Sequence, residues 1–127
     1  MRTQLTSVWI LFVAVACISG CGGQLPPAAD PGQGREALQS VLEAWKQGEK
    51  APALAERTPP VHVSDEDWQQ GYQLSSFKVS PRDEISGLNL RCSVQLTLRD
   101  AQGYTEEKEV VYLVETGSRV SIIREGQ

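Results

Sequence analysis

Hydrophobic residues recur along this chain in three patterns, and each predicts a different kind of element. Val8 to Ile18 is an unbroken apolar run of eleven residues. From about Gly34 the period becomes helical: Leu38, Val41, Leu42 and Trp45 fall at i, i+3, i+4 and i+7, with Ala37 beside them, while Arg35, Glu36, Gln39, Ser40, Glu43 and Lys46 face away. Gly48 supplies the stop, because glycine tolerates the left-handed conformation at a helix end. Leu88 to Leu98 then alternates, with Leu88, Leu90, Cys92, Val94, Leu96 and Leu98 on one side and Asn89, Arg91, Ser93, Gln95 and Thr97 on the other. Such alternation predicts a strand with one packed and one wet face, as in an antiparallel sheet.

Shorter signals fill in the rest. Ala51 to Thr58 reads as a brief helical turn, with Pro52 near its start and Leu54 packing inward. Pro59-Pro60 ends it and leaves Val61-His62-Val63 extended. Ser64-Asp65-Glu66-Asp67 looks like an N-cap followed by first-turn acids, with Trp68 carried on that turn and Gly71 closing it. Tyr72 and Leu74 alternate in one phase, Phe77 and Val79 in the other, which predicts a bulge near Ser75-Ser76. Pro81 to Gly87 reads as a polar connection. Asp100-Ala101-Gln102-Gly103 is a hairpin turn leading into a strand over Tyr104 to Thr116. If Asp100 faces Tyr104, then Val94 lies opposite Val110, Cys92 opposite Tyr112 and Leu90 opposite Val114. A slip of one residue would present Val111 and Leu113 instead. Gly117-Ser118 turns the chain into a last strand, Val120 to Arg124.

These elements predict an α+β fold: one long amphipathic helix plus a short helical turn, packed on a curved antiparallel sheet of about four strands. The order of elements over residues 34 to 124 resembles the cystatin-like group, which includes the nuclear transport factor 2-like folds. Enzymes of that kind hold an acid or histidine inside the cone between helix and sheet, so the resemblance allows a hydrolase or isomerase. The residues predicted to face inward here are leucine, valine, cysteine, tyrosine and tryptophan.

The first apolar run has a separate meaning. Its eleven residues would rise only ~16 Å as a helix, half of a ~30 Å hydrocarbon core. Arg2 precedes it and small residues follow, as in a cleaved secretory leader. The exit, Ile18-Ser19-Gly20-Cys21, resembles a bacterial lipobox. That resemblance implies cleavage before Cys21, a diacylglycerol on its thiol, and stable anchoring by further acylation, commonly with palmitate. An ordinary leader cut elsewhere is the alternative. The chain then divides into a signal peptide (1–20), lipidated Cys21 with a flexible linker (21–33), and a single small domain (34–127). Gly22-Gly23-Gln24-Leu25-Pro26-Pro27-Ala28-Ala29-Asp30-Pro31 suits a spacer. In lipoproteins of two-membraned bacteria an aspartate after the cysteine retains the protein at the inner membrane, so with Gly22 there the resemblance implies the outer membrane, facing the periplasm.

Loss of the leader leaves 107 residues, and loss of Arg2 moves the net charge from −4 to −5. An acidic chain without a basic cluster argues against nucleic acid and against an electrostatic grip on anionic lipid. Of three cysteines, Cys17 leaves with the leader and Cys21 carries lipid. Cys92 is then alone, so no intramolecular disulfide is expected in the mature chain, and it reads as a small buried hydrophobe.

Candidate chemistry is sparse. His62 is the only histidine, and a metal site from His62, Asp65 and Asp67 lacks paired histidines, paired cysteines or calcium-loop spacing. No metal, cofactor or catalytic set is expected. Asp83-Glu84 and Glu106-Glu107 fall in predicted turns or strand ends, and a strand sends the neighbours Glu106 and Glu107 to opposite faces. Trp45, Trp68, Tyr72, Phe77 and Tyr112 should meet near the helix end, as a closed core or as a shallow docking face for a peptide, glycan or envelope protein. The expected function is a noncatalytic binding or assembly module on an envelope lipoprotein. A small-molecule enzyme and a passive structural subunit are the alternatives.

Overall fold

The computed structural model describes residues 30–127. The leader, Cys21 and the linker as far as residue 29 lie outside the described residues. Helix α1 spans Pro31–Lys46, three residues earlier than the hydrophobic period suggests. Asp30 is the reason: its side chain accepts from the backbone N–H of Gly32 (2.9 Å) and Gln33 (3.3 Å), and Pro31 stands where a missing N–H costs nothing. The helix ends as expected, with Gly48 at φ +91°.

A 3-10 helix, Ala51–Glu56, follows, and then β1 (Val61–Ser64), a four-residue α2 (Glu66–Gln69), β2 (Gln73–Ser86), β3 (Asn89–Arg99), β4 (Thr105–Glu115) and β5 (Val120–Arg124). The strands form one open sheet in the order β1-β5-β4-β3-β2. The α+β class therefore holds, but the sheet has five strands and is mixed, because β1 pairs parallel to β5. The segment read only as extended thus supplies the edge strand, with Val61 beside Val120 and Val63 beside Ile122.

The β3–β4 hairpin has the register that the Asp100–Gly103 turn implies: Val94 opposite Val110, Cys92 opposite Tyr112, and Leu90 opposite Val114. The phase switch in β2 is a bulge at Ser75, where Leu74 pairs with Leu98 and Ser76 with Thr97. Pro81 to Ser86 is strand rather than connection. A second irregularity lies between Val79 and Asp83 and accommodates Pro81 on the unpaired edge, where a missing N–H breaks no ladder.

Helix α1 lays Leu38, Val41, Leu42, Ala44 and Trp45 on the inner face of the sheet, against Leu90, Cys92, Val94, Leu96, Leu98, Tyr112 and Ile122. Gly34 marks the closest approach: a Cβ there would lie 2.7 Å from Leu90 Cδ2. No helix among the described residues is long and apolar enough to cross a membrane.

Candidate functional site

The aromatic residues divide by burial. Trp45, Trp68 and Tyr112 are buried, while Tyr72 and Phe77 are half-buried against the same core. Trp45 and Trp68 stack with centroids 5.0 Å apart and planes 3° from parallel. Each indole N–H is satisfied internally, Trp45 Nε1 donating to the Tyr72 carbonyl at 2.8 Å and Trp68 Nε1 to the Glu49 carbonyl at 3.0 Å. These rings lock the end of α1 onto α2 and the start of β2. A partner would reach Trp45, Trp68 or Tyr112 only by opening the core.

Behind that pair lies a cluster of ionisable groups that the linear pattern does not reveal. Asp65 is the N-cap of α2, and its Oδ1 accepts from the Trp68 backbone N–H at 3.2 Å. It enters the core from the β1–α2 junction with only 1% of its surface exposed. Tyr112 and Arg124 are cross-strand neighbours on β4 and β5. The Tyr112 hydroxyl donates to Asp65 Oδ2, and Arg124 Nη1 donates to Asp65 Oδ1 at 3.2 Å and to Asp67 Oδ2. Lys108 closes the set, with Nζ 3.1 Å from Asp67 Oδ2. Two carboxylates thus face two cations around a neutral phenol.

The electrostatics follow from that balance. Burial alone would raise the Asp67 carboxyl, but hydrogen bonds from Arg124 and Lys108, with their charges, hold it below the usual carboxylate range. Burial also opposes a charged Arg124, and both aspartates outweigh it, so its guanidinium is held above its ordinary value. The Tyr112 phenol is pushed up by burial and then by the charge of Asp65. No buried side-chain polar atom among the described residues lacks a partner. A general acid or base needs a free lone pair and a route to substrate. Asp65 lacks that route: its side chain is sealed, and each of its oxygens already accepts at least one internal hydrogen bond.

His62 is elsewhere. Alternation along β1 pairs it with Ser121 at an exposed position, while Asp65 and Asp67 turn into the fold. The three do not meet, and no group of three potential metal ligands occurs among the described residues. Asp83 pairs with Arg35 and Glu84 with Arg91, at 3.2 and 3.1 Å. Cys92 is fully buried, its thiol pushed up by burial and by the charge of Asp83.

An open groove of about 380 Å³ runs between α1, the Arg57-Thr58-Pro59 segment and the β4–β5 turn. Ala37, Val41, Pro59, Val61 and Val120 supply its apolar lining, and Gln33, Glu36, Ser40, Arg57 and Thr116 its polar groups. Arg57 is held by Ser40 Oγ (3.3 Å) and Glu49 (3.1 Å). No sequence signal points to this groove, because its walls come from three separated segments. No protein-family model, curated protein or solved structure matches the chain.

Proposed function

We propose that this chain is a lipid-anchored envelope lipoprotein whose domain is a noncatalytic binding or assembly module. The observation that carries the reading is the Ile18-Ser19-Gly20-Cys21 box directly behind an apolar run too short to span a bilayer. The lipid fixes the address, which is the periplasmic face of the outer membrane in a cell with two membranes. The sealed, charge-balanced cluster around Asp65 supports a structural role for the domain's buried ionisable groups.

Binding falls to the groove beside α1. Its lining contains no aromatic ring on which a sugar face could stack, and its apolar floor and mixed polar rim suit an extended segment of another envelope protein. Radiolabelled palmitate should enter the wild type and not Cys21→Ser; equal labelling would refute the anchor. A photo-crosslinker at Ser40, exposed on the groove, should capture an envelope protein in cells, and Glu36→Trp, at another exposed position of the lining, should abolish the capture with an unchanged melt. Capture that survives Glu36→Trp would refute the groove.

A further inference from the structure

Ile85, Leu88, Tyr104 and Ile123 are the exposed large hydrophobic residues among those described. Two of them, Ile85 at 55% exposure and Leu88 at 41%, flank Gly87 at the tip of the β2–β3 hairpin. This tip shares one end of the molecule with the start of α1. Gly34 packs against Leu90, the cross-strand partner of Ile85, and Arg35 Nη1 donates to the Ser80 carbonyl at 2.8 Å. The chain segment that leads from Cys21 therefore joins the domain, at Asp30, beside the hairpin tip. That segment has nine peptide links, a covalent reach of no more than ~35 Å. The Asp100–Tyr104 turn lies at the opposite end of β3, eleven residues away.

We propose that the Ile85–Leu88 tip rests in the lipid surface to which Cys21 is anchored and so fixes the orientation of the domain. The proposal rests on the lipid-anchor reading above. Two side chains are far too small a patch for a stable protein interface, which needs on the order of 1,200 Å². A lipid surface needs no matching contour, and the tether holds it within reach, so a weak second contact is enough. The local charges are mixed, with Arg82, Arg119 and Glu115 exposed and Glu84 paired to Arg91, so the contact is apolar rather than electrostatic. It also places the groove at the membrane-proximal end, since Gln33, Thr116 and Gly117 line it.

The test uses the full acylated protein in phosphatidylcholine vesicles. A fluorophore sensitive to polarity is placed at Leu88→Cys, and in separate preparations at Ile85→Cys and Tyr104→Cys; buried Cys92 stays unlabelled in the folded protein. All three labelled sites are exposed, and a thermal melt verifies the fold. Emission at 88 and 85 should shift to the blue and be quenched by nitroxide-bearing acyl chains, at low and high salt alike, while 104 stays wet. Flotation with the vesicles but equal wetness at all three positions would overturn the tip contact and leave the anchor standing. Failure to float would overturn both. A blue shift that follows protein concentration and ignores lipid would assign the tip to a second copy and overturn the proposal.

Discussion

Replacing Arg124 with methionine separates a buried charge cluster from a surface one. The Arg124 side chain is 12% exposed and lies 3.2 Å from Asp65, which is itself 1% exposed. Methionine keeps much of the volume and removes the cation, leaving two buried carboxylates with only Lys108, Tyr112 and one backbone N–H. Breaking a buried pair from one side costs about 3–5 kcal/mol, because the abandoned charge stays desolvated. Lys108 is 31% exposed, so Lys108→Met should cost less than ~1 kcal/mol. Against a total of about 5–15 kcal/mol, the first change leaves a marginal domain and lowers Tm by roughly 20 °C. Urea denaturation at pH 7 with an unchanged m-value measures both.

The pH dependence carries the same signature. Asp67 titrates below its unfolded value of 3.8 in the folded protein. Its contribution is therefore present above about pH 4 and is lost as pH falls through the lower folded value. Arg124→Met should flatten that acid limb. Equal losses for Arg124→Met and Lys108→Met, or a loss under ~1 kcal/mol for the first, would show that Arg124 does not hold a desolvated charge cluster together.

Three further outcomes follow from packing. Gly34→Ala and Leu90→Val should each destabilise the domain, yet the double variant should recover about 1 kcal/mol relative to their sum, because the new Cβ occupies the space that Leu90 Cδ2 vacates; a double-mutant cycle measures this. Trp68→Ala should cost about 3–5 kcal/mol, while His62→Ala, at an exposed edge position, should stay within about 0.5 kcal/mol in the same melts. Cys92 should resist thiol reagents at pH 8 in the native protein and react fully in denaturant, as seen by absorbance or mass shift.

Local chemistry was legible wherever one short segment decided the outcome. The Asp100–Gly103 turn sets the β3–β4 register, since a turn fixes which residues face each other. The phase change between Leu74 and Phe77 gives away the bulge. The start of α1 was hidden because Asp30-Pro31 is a capping signal embedded in a proline-rich stretch that reads as spacer. Strand character across Pro81–Ser86 was hidden because an edge strand reaching beyond the core need not alternate. Two features needed distant partners. Val61–Ser64 is too short to announce a strand and joins the sheet only through β5, nearly sixty residues later. The Asp65 cluster draws on the β1–α2 junction, β4 and β5. Its one available clue was the Tyr112–Arg124 pairing, which needs the β4–β5 register.

Lipid on Cys21 is proposed to hold this domain in the cell envelope. Intact mass spectrometry of the native protein, with sequencing of its N-terminal peptide, reads that lipid out. On that reading the chain begins at Cys21 and carries a diacylglyceryl thioether. A chain that retains residues 1–20, or an unmodified Cys21 thiol, would contradict it.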